Sequence, residues 1–156
     1  MSPAREPVYF DHAATTPLRP EVLDAMMPFL TSRFGNPSSL YGLGRDARKA
    51  VETAREQVAA AIGAHPSEIL FTSGGTEADN WALWGPVSLV SADRSRHLIT
   101  SAIEHHAILH VADRMASEGV GVTTLPVDPE GRVSVEDLRQ AIRPDTILAS
   151  VMLANN

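Results

Sequence analysis

Residues 97–127 read "HLITSAIEHHAILHVADRMASEGVGVTTLPV", and the change of hydrophobic period inside that stretch sets the expected fold. Residues 97–100 form a short, largely apolar run, which predicts a buried strand. From 106 to 118 the apolar residues Ile108, Leu109, Ala112 and Met115 recur at three- and four-residue steps, the pattern of an amphipathic helix. Gly119 stands where such a helix stops, and 122–127 reads as a second strand.

The same alternation extends outward in both directions. Upstream, "ILFT" at 69–72 reads as a short buried strand, followed by a glycine turn and a helix from Thr76 to about Leu83. Before it, apolar Ala47, Val51, Ala54, Val58 and Ile62 predict a helix from about Asp46, closed by Gly63. The segment 33–45, "RFGNPSSLYGLGR", carries three glycines, a proline and two serines and is expected to be a surface loop. Ahead of that loop, Arg19 and Pro20 open a helix bearing Val22, Leu23, Met26 and Leu30 on one side, since proline suits a first helical turn. A short extended piece lies around Val8. Downstream, Ser134 with Asp137 three residues on has the form of an N-cap, and 146–153 is a strongly apolar last strand.

Strands with little polar alternation, separated by helices, indicate an α/β fold of three layers, α/β/α, with a mainly parallel sheet covered on both faces. Ligands of such folds sit at the carboxyl ends of strands. The expected division is an extended segment over 1–17 and one domain over 18–156. At 156 residues the chain is long enough for one real core. Its 44% hydrophobic and 21% charged residues are ordinary globular usage, and a net charge of -6 gives no basic footprint for nucleic acid or an anionic membrane. There is no cysteine, hence no disulfide, cysteine-metal site or thiol nucleophile among these residues. No apolar run is long enough to span a bilayer and the first residues lack a signal core, so the expected location is the cytoplasm.

Chemistry-bearing residues fall directly after three of the expected strands: 73–76, 101–106, and Asn155 with Asn156. At the first, Ser73, Gly74 and Gly75 let backbone amides approach an anion while a new helix directs its unpaired N–H groups at the same point, and Thr76 adds a hydroxyl. Phosphate is the natural guest. A glycine turn capped by Ser73 or Thr76, with Glu77 and Asp79 matching the helix dipole, accounts for the same residues. At the second, His105 sits at the turn itself, where it can present a flat ring. His106 and His110, four apart, admit a zinc reading with His105 and Glu104, but no glutamate stands between the histidines as in a HExxH site and adjacent His105 and His106 point in different directions, so an ordinary helix face is the preferred reading of His106 and His110. The two asparagines, taken alone, read as a turn.

In order and spacing, "YFDHAATTPLRPEVLDAM", "FGNPSSLYGLG", "EILFTSGGTEADN", "ITSAIEHHAIL" and "DTILASVMLANN" resemble the N-terminal part of the cysteine desulfurases. These belong to the class V aminotransferase group of fold-type I pyridoxal-phosphate enzymes. The resemblance covers practically the whole chain, and "FGNPSS" with "SGGTEADN" is more like the housekeeping and nitrogen-fixation branch than the sulfur-mobilisation branch.

The resemblance implies that 18–156 is the N-terminal part of a pyridoxal 5'-phosphate-binding large domain. It implies that Gly75 and Thr76 bind the cofactor phosphate, that His105 stacks on the pyridine ring and assists proton transfers, and that Asn156 hydrogen-bonds the phenolic oxygen. It implies no metal, and a whole protein that takes sulfur from L-cysteine, leaves L-alanine and passes a persulfide to a sulfur acceptor or iron–sulfur scaffold protein. Family members are homodimers, and the loop 33–45 is a candidate for contact with the second subunit. The chain departs from the family pattern in two ways. Its single lysine, Lys49, falls mid-helix and does not match the Schiff-base lysine, and the persulfide cysteine has no counterpart. A polypeptide with these residues alone is therefore expected to be inactive. Selenocysteine lyases and related carbon–sulfur lyases share much of this half, and a non-catalytic phosphate-binding module is the alternative from another class.

Overall fold

The computed structural model describes residues 8–155, and two compact units divide the chain between Phe71 and Thr72.

The first unit holds two helices, α1 (Pro20–Thr31) and α2 (Gly42–Ile62), and a short 3-10 turn, Pro66–Glu68. Pro20 opens α1 as expected, and Gly63 ends α2 in the left-handed conformation at φ 70°. The helix α2 begins earlier than its hydrophobic pattern indicates, so the expected loop over 33–45 is shorter. Two of its glycines, Gly35 and Gly44, serve close packing instead of looping. A Cβ on Gly44 would lie 2.4 Å from the Ser39 carbonyl oxygen and 2.8 Å from that of Asn36. Two guanidiniums pin the loop, Arg45 to the Leu40 carbonyl and Arg48 to that of Pro37, each at 2.8 Å.

The expected buried strand at 69–72 does not form. A strand needs a neighbour for its ladder, and no described strand lies beside this one. Arg55 donates instead to the Ile69 carbonyl and lies over the Phe71 ring at 5.1 Å, while Leu70 and Phe71 stay exposed.

The second unit is the α/β part. Its elements run α3 (Gly75–Ser88), β1 (His97–Ser101), α4 (His106–Ser117), β2 (Gly121–Leu125), α5 (Val135–Ala141) and β3 (Thr146–Ser150). The sheet has the order β2-β1-β3 and both pairings are parallel, as the strand–helix alternation predicts. The central strand β1 is buried along its whole length. Leu98 meets Leu83 and Val87 of α3 and Ile108, Val111, Ala112 and Met115 of α4 in one apolar cluster, to which Val122 and Leu148 of the neighbouring strands add. In α4, Val111 is buried where Leu109, expected inward, is only half-buried. Ser134 caps α5, its hydroxyl accepting from the Asp137 amide at 3.2 Å.

The last strand stops at Ser150, three residues short of its apolar run. Beyond it the Met152 amide turns to the Glu104 carboxylate at 2.6 Å, so no ladder bond is left for it to make. Leu153 is fully exposed.

A polar bracket closes the opposite end of the sheet. The buried ring of His97 bridges the three strands, one nitrogen 2.8 Å from the Thr146 hydroxyl of β3 and the other 2.8 Å from the Thr123 hydroxyl of β2. Burial is the main cause that lowers its pKa, and the Arg143 charge adds to it against the opposing pull of Asp145. Asp145 is held down to about 2, chiefly by the Ser95 hydroxyl and then by a two-pronged bond from Arg143.

The sign of the pH effect follows. Above pH of about 6.5, the ordinary imidazole value, His97 is neutral in both folded and unfolded chains. As pH falls below that value the unfolded chain takes up the proton first, so stability is lost until pH reaches the lowered folded value. Denaturation midpoints of wild type and His97→Gln, taken at pH 7.5 and 5, are expected to show a smaller drop in the variant. Equal drops would refute the assignment.

Candidate functional site

The N-terminus of α3 follows directly from "TSGG" at 72–75. Gly74 occupies the N-cap in an extended conformation, and the first bond of the helical ladder runs from the Ala78 amide to the Gly74 carbonyl at 3.1 Å. The amides of Gly75, Thr76 and Glu77 therefore precede the ladder. Space is open at both glycines, since a Cβ on Gly74 or Gly75 would find nothing within 4 Å. Thr76 is exposed at this end.

Glu77 points back along the chain. Its carboxylate accepts from the Ser73 amide at 2.6 Å and the Ser73 hydroxyl at 2.7 Å, and these two bonds, the amide first, hold its pKa below the usual carboxylate range. The Ser73 amide is thus committed to the protein. The unladdered amides of Gly75, Thr76 and Glu77 and the Thr76 hydroxyl remain at this end, without the Ser73 amide that the composition of "SGGT" offers.

His105 begins α4. It is the N-cap residue, and its Nδ1 accepts from the Ala107 amide at 3.1 Å. An acceptor nitrogen carries no proton, so this bond leaves Nε2 as the N–H side of the ring. One face of the ring and Nε2 remain available. His106 lies 6.3 Å away with its ring tilted by 58°, and His106 stacks on His110 at 5.2 Å. Among the described residues no three histidines or carboxylates form a metal-holding group.

Thr76, Asn80 and Trp84 of α3 and His105, His106 and His110 of α4 line one cavity of about 440 Å³. Two of the three spots picked from the sequence are thereby on one wall. The third is tied to them through the backbone, for the Asn155 side chain donates to the Ile103 carbonyl at 2.7 Å. Asn156 lies outside the described residues. Lys49 is exposed on α2 in the first unit.

One residue named in the sequence only for a possible metal has another part in the structure. Glu104, 6% exposed, accepts from the Ser101 hydroxyl at 2.8 Å and from the Met152 amide, both on Oε1. Nothing in "SAIEHH" marks this carboxylate as buried; only its place between a strand end and a helix cap could have suggested it.

This donor set fits a phosphate-bearing aromatic ligand. Three unladdered amides and a hydroxyl stand at a helix N-terminus, glycines leave room for close approach, and a flat ring lies on the same cavity.

The family described as aminotransferase class-V matches residues 8–156. The cysteine desulfurase IscS of Methanosarcina thermophila is 51% identical over 156 residues, which is all of this chain and 38% of that protein. The cysteine desulfurase IscS of Clostridium botulinum (strain Kyoto / Type A2) is 56% identical over 149 residues, 96% of this chain and 37% of its own length. Among solved structures, a NifS-like protein superposes with a TM-score of 0.89 at 42% identity, covering 95% of this chain and 40% of that one. SspA, solved in complex with cysteine, gives 0.85 at 38% identity, covering 92% and 41%. The chain spans about two-fifths of the length of these relatives.

Proposed function

This chain belongs to the class-V aminotransferase family, and from that premise we propose that it carries the phosphate- and ring-binding part of a pyridoxal 5'-phosphate-dependent cysteine desulfurase. The observation that carries the reading is the shared cavity, with Thr76 at a helix N-terminus on one side and His105 on the other.

The cofactor, when bound, supplies an electron sink for cleavage next to the amino-acid α-carbon. The residues of this chain hold it and manage protons. The amides of Gly75 and Thr76 and the Thr76 hydroxyl receive the phosphate dianion, which the positive end of α3 favours. The His105 ring packs against the flat heterocycle. Because its Nδ1 caps α4, proton exchange with substrate runs through Nε2. Asn156 is proposed to donate its carboxamide to the ring's phenolic oxygen.

The proposed substrate is L-cysteine, a reading supported by the relative solved with cysteine. The products are L-alanine and a persulfide passed to a sulfur-acceptor or iron–sulfur scaffold protein. The lysine that holds the cofactor and the sulfur-accepting cysteine match nothing in these 156 residues. The proposal assigns them to length that the relatives have and this chain does not span. A homodimer working in the cytoplasm completes the proposal. Among the described residues no helix is long and apolar enough to cross a membrane.

Titration of the cofactor-free whole protein with pyridoxal 5'-phosphate tests the site. Thr76→Ala removes one charge-assisted hydrogen bond, worth about 1.5–3 kcal/mol, so Kd is expected to rise about 10–100-fold. An unchanged Kd would remove Thr76 from the phosphate site. Comparing alanine release from L-cysteine and L-selenocysteine separates the desulfurase from a selenocysteine lyase.

A further inference from the structure

The turn that carries His105 is held to the segment carrying Asn155 by one buried carboxylate. After Ser101 the chain leaves β1, runs through Ala102, Ile103 and Glu104, and enters α4 at His105. After Ser150 the neighbouring strand β3 ends as well, and the amide of Met152 is left without a ladder partner from β1. Glu104 supplies the acceptor at 2.6 Å, and the same oxygen accepts from the Ser101 hydroxyl at 2.8 Å. A carboxylate that is 6% exposed is tolerated only when such donors replace its lost water. A second tie runs beside it, from the Asn155 side chain to the Ile103 carbonyl. The Ala102 amide adds a third anchor to the turn through the Leu125 carbonyl of β2 at 2.9 Å.

We infer that Glu104 is a positioning residue for the cofactor ring: it clamps the β1–α4 turn to the β3 exit, so that the His105 ring and Asn155 keep a common register. Glu104 stands next to the residue that caps α4, so slack in the turn passes directly into the His105 ring and its Nδ1 bond. The inference rests on the proposed function for what the ring does, but the clamp itself is a property of this chain.

The test uses the whole protein labelled with nitrogen-15 in histidine and methionine, first without cofactor and then titrated with pyridoxal 5'-phosphate. In wild type the His105 ring is expected in the Nε2–H form with Nδ1 as acceptor, and the Met152 amide is expected to exchange slowly with solvent. In Glu104→Ala, His105 is expected to show mixed ring forms, Met152 to exchange at least about tenfold faster, as loss of a hydrogen bond to a charged acceptor implies, and cofactor affinity to fall. Glu104→Gln keeps an oxygen able to accept both bonds and is expected to restore all three readings to within about twofold. Ser101→Ala, which removes one donor and leaves the Met152 bond, serves where the alanine variant at 104 fails to fold, and is expected to give a smaller change of the same kind.

Unchanged Met152 exchange in the alanine variant would overturn the clamp. Faster exchange with an unaltered His105 ring and unaltered affinity would reduce Glu104 to a structural bond and overturn the positioning role. If wild type binds no cofactor, the proposed function fails, while the His105 ring signals in cofactor-free protein still decide whether Glu104 positions that ring.

Discussion

His105→Ala is expected to lower turnover of the whole protein about 10²–10⁴-fold, the range for loss of a positioned proton-transfer group, with a smaller effect on cofactor affinity. Two effects are combined in that substitution. The ring gives the stacking face and Nε2, and its Nδ1 also caps α4 by accepting from Ala107. Loss of the cap alone costs about 1 kcal/mol of stability. His105→Asn separates them, because asparagine caps helices well but offers neither an imidazole nor a proton carrier near neutral pH. Steady-state rates and melting temperatures of both variants make the check. The asparagine variant is expected to melt like wild type and turn over like the alanine variant. Wild-type turnover in either one would remove His105 from the chemistry.

Leu98→Ala should produce the largest loss of stability in the second unit. Leu98 is fully buried at the centre of β1 and packs against Leu83, Val87 and Met115 in the one cluster that joins α3, α4 and the sheet. Deleting its three outer carbons removes transfer energy and leaves a cavity, together about 2–5 kcal/mol. A domain is typically stable by only about 5–15 kcal/mol, so a large share is lost. Leu153→Ala is the matched control. Leu153 is fully exposed, and its truncation is expected to change the unfolding midpoint by no more than about 0.5 kcal/mol. Chemical denaturation of the two variants side by side would expose an error in the core assignment if Leu153→Ala were the costlier.

The site divides along similar lines. Gly75, Thr76 and His105 stand out in the sequence because each is a chemically distinctive residue just beside a change of hydrophobic period, but the cavity shared by Thr76 and His105 comes from the packing of α3 against α4, since no described strand precedes Thr76. Glu77 was legible only as a helix-dipole match, while the fold turns it into the acceptor that takes Ser73 out of the anion site. In the sequence Glu104 reads only as a carboxylate that could join the neighbouring histidines on a metal, not as a buried acceptor. Its partner Met152 lies 48 residues along the chain, and no local pattern carries information over that distance.

Local pattern determined where helices and strands lie whenever their stabilising contacts are set by one face of one element. The β1–α4–β2 run, the proline entry of α1, the Gly63 stop of α2 and the Ser134 cap of α5 are all of that kind. Tertiary structure alone decided the rest, because a strand exists only with a neighbour and a polar atom is buried only with a partner. The apolar stretch 69–72 lacks a ladder among the described residues and stays irregular. The 146–153 run yields its last residues to a carboxylate from another turn, and His97 becomes a neutral bridge because two threonine hydroxyls reach it from either side.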